Sequence, residues 1–376
     1  MAQAARTPVS GGTTPHREKV TIADLAAHLS LSKGTVSRAL NKYPDISRAT
    51  QERVAQAAAE LGYVPSPHAR ALTTGVIKSA GLVLNVDRDN LHKPFLSDFL
   101  DGISLALTQA GWTLSVATAA SLDAAVSLQR SLLDERRVDG FILPRTLIDD
   151  PRVALMQERN APFVMFGRTG NSRGAAWYDI DGAGAMAKAV TRLAGMGHRH
   201  IAYVGGGERY MYQTLRKNGF LSGMGGARLA VREPYLLSDA MTEMAGFDRG
   251  MQLLDLSMPP TAIVCATDLA ALGVCRAISE RGLIVGEDIS IIAYDGIPEA
   301  AYARPPLTSF SVNLRQAGER LAALLMRRVA GEPAEDLREL AQAELVCRAS
   351  DGPPVRRPEE LAEALRGHNQ NPREET

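Results

Sequence analysis

From Ser79 to Tyr294 the chain repeats one pattern, a short apolar run followed by a stretch with helical spacing. The runs Gly81–Val86, Thr113–Ala117, Gly140–Leu143 and Pro162–Phe166 alternate with helical stretches near Phe95–Gln109, Leu122–Glu135 and Val153–Glu158. A second series has helix Gly182–Gly195, strand Ile201–Gly205, helices Leu215–Gly225 and Met241–Leu254, strand Ala262–Ala266, helix Leu269–Arg281 and strand Ile289–Tyr294. Parallel neighbours need a long crossover, and a helix supplies it. The alternation therefore predicts open parallel sheets covered by helices on both faces. Continuously apolar runs such as Gly140–Leu143 fit strands buried on both sides. Two series predict two doubly wound lobes with a ligand cleft between them.

The first 78 residues read differently. Residues 1–19 are small, polar and rich in Gly, Pro and Thr, which predicts a disordered tail. Thr21 followed by Asp24 is a capping-box start, and Ile22, Leu25, Ala26 and Leu29 share one helical face. Ser32 opens a second helix with Val36, Ala39 and Leu40 inward, and Ser47 opens a third with Val54, Ala57, Ala58 and Leu61 inward. Three short helices, the first two tightly linked, predict a helix-turn-helix head over 20–63. Ser66-Pro67 then suits the start of a very short helix, His68 to Leu72, which is marginal unless something holds it.

Lys+Arg and Asp+Glu both total 42, yet residues 1–78 hold ten basic and five acidic side chains. A head of net +5 on a body of net −5 points to nucleic acid as the head's partner. On the second helix Lys33, Gly34, Ser37 and Arg38 share the face opposite Val36 and Leu40. That face fits the major groove, with Lys33 and Arg38 reaching base edges and Gly34 allowing close approach. Ser32, Thr35 and Ser47 suit phosphate contacts at helix N-termini. A solvated basic face on a plain three-helix unit is the alternative.

The segments Thr21-Ile-Ala-Asp-Leu-Ala, Ser32-Lys-Gly-Thr-Val-Ser-Arg-Ala-Leu-Asn41 and Leu61-Gly-Tyr-Val-Pro65 resemble the DNA-binding head of the lactose-repressor (LacI/GalR) family. The resemblance places Lys33, Gly34 and Arg38 at that family's base-reading positions. It adds Thr21 and Asn41 to the DNA-facing set, and with the hinge segment Ala69, Arg70 and Leu72. It implies that Leu72 wedges into the minor groove and kinks the duplex. Pro67 departs from the common hinge pattern. The resemblance spans about 20–350 and implies a body like a periplasmic sugar-binding protein, an all-α helix-turn-helix head, and a homodimer on a pseudo-palindrome. The expected division is hinge and linker 64–78, then an effector-binding and dimerisation domain 79–350. Its first lobe would hold about 79–192 and 311–340, and its second about 193–310 and 341–350. A mobile tail, 351–376, without the heptads of a tethered tetramer, would follow.

Asp295 ends the strand Ile289-Ser-Ile-Ile-Ala-Tyr-Asp-Gly296 at its C-terminal tip, where open α/β sheets place ligand contacts. The resemblance sets Asp181, Thr267 and Asp295 at effector-contact positions and Arg216 in an Arg-x-x-Gly-Phe pattern. Phe95 resembles an apolar platform for a sugar face. Asp181 and Asp268 equally fit helix caps, Arg216 a surface charge, and Phe95 the core. Asp150-Pro-Arg-Val153, Phe166-Gly-Arg-Thr169 and Asp179-Ile-Asp181 resemble an α-glucoside-regulating subgroup. The implied protein is a cytoplasmic repressor of a carbohydrate-utilisation operon, without cofactor, metal or catalytic residue.

Two rival readings remain. Gly182-Ala-Gly-Ala-Met-Ala187 mimics a dinucleotide fingerprint, but Trp177-Tyr-Asp-Ile before it makes a poor buried strand. A secreted sugar-binding protein lacks support, since Met1 to Pro15 has no apolar signal region. Cys265, Cys275 and Cys347 are odd in number and suggest no disulfide framework. No apolar stretch approaches the roughly 20 residues of a membrane span.

Overall fold

A computed structural model describes residues 20–63, 75–85 and 95–370, with only the backbone of Phe95 and of 368–370. The expected tail 1–19 and the hinge segment with Ala69, Arg70 and Leu72 lie outside the described residues. Two compact units divide at Ile77 and Lys78.

In the first unit, helices α1 (Ile22–Leu29), α2 (Lys33–Leu40) and α3 (Arg48–Leu61) start where the hydroxyl residues fall. Thr21 and Asp24 form the reciprocal capping box, Ser32 accepts from the Thr35 amide, and Ser47 accepts from the Thr50 amide. Ser30, at φ 53°, ends α1 in a left-handed turn that lets α2 follow at once. Leu25, Val36 and Val54 are fully buried at the meeting of the three helices, with Ala26, Ala39, Ala57 and Ala58 around them.

The second unit holds two sheets. The first takes β1 (Ser79–Asn85), β2 (Thr113–Ala119), β3 (Gly140–Leu143), β4 (Phe163–Phe166), β5 (Ala176–Ile180) and β11 (Arg338–Ala341). Its order is β11-β5-β4-β3-β1-β2, all parallel. The second takes β6 (Ile201–Val204), β7 (Leu236–Leu237), β8 (Ala262–Cys265), β9 (Ser290–Asp295), β10 (Thr308–Ser311) and β12 (Glu344–Val346). Its order is β12-β10-β9-β8-β6-β7, with only the β10–β12 pair antiparallel. Strands β3, β6 and β8 are buried at every residue, as both-face coverage by helices requires. On the first sheet, α4 (Phe95–Gln109) lies against α12 (Leu314–Val329). A Cβ added at Gly102 would sit 2.0 Å from the Arg315 carbonyl oxygen, so these two backbones touch.

Three features differ from the sequence reading. Helix α7 (Gly182–Gly195) belongs to the second lobe, because Met186, Ala189, Val190 and Leu193 pack on Ile201, Tyr203, Phe220 and Met224. The chain thus changes lobe at Asp181, not near 192, and again between β10 and α12 and between β11 and β12. Trp177-Tyr-Asp-Ile is a true strand, β5, between β4 and β11. Its aspartate is tolerated because Arg168 Nε pairs with the Asp179 carboxylate at 2.7 Å. The expected mobile tail instead packs on the second lobe through Asp351, Leu361 and Leu365, and its last six residues, 371–376, lie outside the described residues. Asp351, with a fully buried side chain, pairs with Arg192 at 2.6 Å and accepts from Thr308 Oγ1 at 2.5 Å. Helix α13 (Pro358–Gln370) then inserts Leu361 and Leu365 into the second lobe's core. Among the described residues no helix is long and apolar enough to cross a membrane, and Cys265, Cys275 and Cys347 are free thiols.

Candidate functional site

In the head, Lys33, Gly34 and Arg38 are exposed along α2, on the face away from buried Val36 and Ala39. A Cβ built on Gly34 would meet only Ser32 Oγ, at an ordinary 3.7 Å. Packing therefore does not demand this glycine, although it costs about 1 kcal/mol against Ala in a helix. Ser32 Oγ and Thr35 Oγ1 lie 2.9 Å apart at the start of α2, and Ser47 Oγ and Thr50 Oγ1 lie 2.9 Å apart at the start of α3. Both helix ends present hydroxyls and backbone amides, which suits phosphate oxygens. Thr21 is engaged in its cap, and Asn41 Nδ2 donates to the Ser37 carbonyl at 2.9 Å, so both brace the helices. Ser37 is half-buried on the same helix.

In the body, the C-terminal ends of the two sheets face a cavity of about 360 Å³. That falls within the range of small-molecule sites. Its wall includes Arg216, on α8 (Met211–Gly226), whose side chain is 12% exposed. The guanidinium carbon lies 3.8 Å from the Tyr294 ring centre and 4.8 Å from that of Tyr212. Nη1 donates to the Ala266 carbonyl at 2.5 Å, and Nη2 stands 3.6 Å from Asp295 Oδ1. Stacking plus a backbone anchor fixes the guanidinium in place. Gly182 makes room for it, since a Cβ there would lie 3.0 Å from Arg216 Cγ. The second glycine of the apparent dinucleotide fingerprint has a local cause too. A Cβ at Gly184 would fall 2.3 Å from the capping carboxylate of Asp181.

Asp295 ends β9 at φ 128°, a backbone region that costs a non-glycine residue about 1–3 kcal/mol. The loop behind it is pinned by Asp268, which accepts from the Ile297 amide at 2.8 Å and Ser309 Oγ at 2.5 Å. Burial pushes the Asp295 carboxyl up to about 7, against the pull of Arg216 and with a further push from Asp268. Burial also raises the Asp179 carboxyl, although Arg168 and Arg216 oppose it. Phe166, stacked on buried Phe99 at 5.3 Å, forms an aromatic wall on the first-lobe side.

Of the expected effector residues, Arg216, Thr267 and Asp295 come together in this wall. Thr267 also caps α10 (Asp268–Glu280), accepting from the Ala270 amide at 3.3 Å. Asp181 is not among the wall residues. Its carboxylate caps α7 through the Gly184 amide at 2.8 Å and receives Gln342 Nε2 at 3.4 Å. The side chain of Phe95 lies outside the described residues. Sequence reasoning did not single out Asp98, Arg145, Tyr212 or Tyr294, which also line the cavity. Phe166 and Asp179 stood inside quoted segments without a role. Tyr294, beside Asp295 on a strand end, carried the one local signal that could have found it.

A model for bacterial regulatory proteins of the lacI family matches residues 21–66, and a periplasmic binding protein-like domain matches 190–350. The HTH-type transcriptional regulator AglR of Rhizobium meliloti is 33% identical over 340 residues, covering 89% of this chain and 95% of AglR. A transcriptional regulator CelR–cellobiose complex matches with TM-score 0.68 and 29% identity, over 88% of this chain and all of that one. A Lac repressor dimer bound to operator and the anti-inducer ONPF matches with TM-score 0.74 and 26% identity, over 89% and 100%. With a helix-turn-helix head, two parallel-sheet lobes and these full-length relatives, the chain belongs to the lacI family of bacterial transcriptional regulators.

Proposed function

We propose that this regulator is a repressor of carbohydrate-utilisation genes whose DNA binding is set by a small neutral sugar in the cleft. The carrying observation is the Arg216 guanidinium held over the Tyr294 and Tyr212 rings and beside the Asp295 carboxylate on the cavity wall. The half-buried Phe166 ring on the cavity wall suits the C–H face of a pyranose, while carboxylates and guanidinium groups accept from and donate to its hydroxyls. In the wall the carboxylates of Asp98, Asp179 and Asp295 outnumber the guanidinium groups of Arg145 and Arg216, which disfavours a phosphate and leaves a neutral ligand. The cellobiose complex of CelR supports the same ligand class, and an α-glucoside remains the subgroup expectation. Asp295 and Arg216 are the proposed sugar contacts, with Thr267 at the rim.

Two heads of a homodimer read a pseudo-palindrome in the cytoplasm, with Lys33 and Arg38 at base edges and Ser32, Thr35 and Ser47 at phosphates. Leu72 supplies the minor-groove wedge. The chain works by binding, not turnover. Sugar shifts the two lobes between arrangements and so the spacing of the hinge segments.

Fluorescence anisotropy with DNA from upstream of the gene, over a salt series and a panel of mono- and disaccharides, tests the whole reading. A salt-sensitive, sequence-selective complex that one sugar alters is expected. No DNA binding under any ligand overturns it. Asp295→Ala should abolish the sugar response and keep operator binding, whereas a normal response moves the effector site elsewhere. Leu72→Ala should weaken binding and reduce the bend angle, and an unaltered bend removes the wedge.

A further inference from the structure

The base-reading candidate Arg38 is already held within the head. Its Nη2 pairs with Asp45 Oδ2, and its guanidinium carbon lies 5.6 Å over the Tyr43 ring. Both partners sit in the turn between α2 and α3. That turn is itself fixed: Lys42 takes φ 53°, the Tyr43 amide donates to the Arg38 carbonyl at 3.0 Å, and the Ile46 amide to the Tyr43 carbonyl at 3.1 Å. Gln51 Nε2, from α3, donates to the Tyr43 and Ile46 carbonyls at 3.1 and 3.0 Å. A carboxylate on a braced turn thus meets the end of the longest side chain on the DNA-facing surface.

We propose that Asp45 is a positioning residue for base recognition, a buttress that aims the Arg38 guanidinium at a guanine edge in the major groove. The inference rests on the reading of Arg38 as a base contact. The pair is half exposed on both sides, and exposed pairs contribute little to folding, so stability does not account for it. Recognition does. Arginine has five donors in a rigid fork, and one edge on a carboxylate leaves the plane oriented while other donors face O6 and N7 of guanine. Preorganisation lowers the rotamer entropy lost when the contact forms. The carboxylate also works against wrong sites. Near the phosphate backbone it repels, and only an Arg38 engaged between Asp45 and a base offsets that repulsion.

The test uses the full-length protein and a duplex that it selects from a random pool, with every single-base-pair variant of that duplex. Arg38→Ala locates the base pair that Arg38 reads. Asp45→Asn should lose about three- to fivefold of discrimination at that one base pair and bind non-specific DNA more tightly, with the other positions unchanged. In the Arg38→Ala background Asp45→Asn should change discrimination no further, because its effect runs through Arg38. Asp45→Ser serves as a second neutral variant should the first fail to fold. Undiminished discrimination in both neutral variants overturns the buttress and leaves base reading intact. So does a loss that persists without Arg38. A uniform loss across all base pairs from Arg38→Ala overturns the base-reading role itself, and the buttress with it.

Discussion

The head and the cleft use the same residue types in opposite settings. In the head, charged and hydroxyl groups stand in water on three short helices with a small core. In the cleft, Arg216 and Asp179 are nearly enclosed, and each is stacked on or paired with other side chains of the chain. Exposed charge is cheap to hold and screened by salt, which suits a polyanion that must be found and released. Enclosed charge is costly to hold unless partnered, and its cost turns into selectivity for a ligand whose polar groups match. One chain can therefore join a salt-sensitive reader to a salt-tolerant sensor.

The largest test of that contrast is Arg216→Ala. It removes the cation from beneath Tyr294 and leaves Asp295 beside no stacked partner. The sugar response should vanish, and the body should lose about 2 kcal/mol with the ring contacts and the bond to the Ala266 carbonyl, the pair with the partly solvated Asp295 adding little. Calorimetry should show the body's transition falling by roughly 4 °C, with the head's unchanged. A body of normal stability would mean that Arg216 is solvated like the charges of the head.

Gly182→Ala is milder. The new methyl presses on the Arg216 side chain at Cγ and Nε, which displaces the guanidinium, so sugar affinity should fall about tenfold with the fold retained. Titration calorimetry measures it, and unchanged affinity would show that the Arg216 stack is loose.

Acidity should move the two regions in opposite directions. The Asp295 carboxyl is raised from 3.8 to about 7, so its contribution to stability is full below 3.8 and is lost as the pH rises through 7. On the proposed contact, an ionised Asp295 accepts from sugar hydroxyls, so sugar binding should strengthen over the same rise. The Asp24 carboxyl in the α1 cap is lowered by its bonds to Thr21, so its contribution is present above 3.8 and lost as the pH falls through its folded value. Thermal melts from pH 3 to 8 should show Asp295→Asn flattening the body's slope near neutrality and Asp24→Asn flattening the head's slope in acid. The smallest effect is Thr21→Ala, which removes the same cap and should cost the head about 1 kcal/mol in denaturant melts. A body transition that moved with it would show that the two units do not unfold separately.

Local patterns were legible wherever one short stretch carried the whole cause. Thr21, Ser32 and Ser47 start helices because a hydroxyl meets an amide three residues on, and the helix Gly182–Gly195 could be bounded from its own residues. Asp295 was legible because a strand's C-terminal tip is a local address. Asp181 and Asp179, two residues apart on β5 and its end, were not separable in the same way. Alternation alone does not say which carboxylate faces the cavity, and Arg168 and Gln342 decide it from 11 and 161 positions away.

The sequence by itself determined the elements, the alternation that makes parallel sheets, the caps and the basic head, because each follows from spacing within a turn or two. Only the tertiary structure decided that α7 joins the second lobe, that α13 packs Leu361 and Leu365 into it, and that Arg216 lies over two tyrosine rings. Those outcomes depend on which distant apolar faces and charges meet. Burial and desolvation are properties of the packed whole, with no signature in any short stretch of chain.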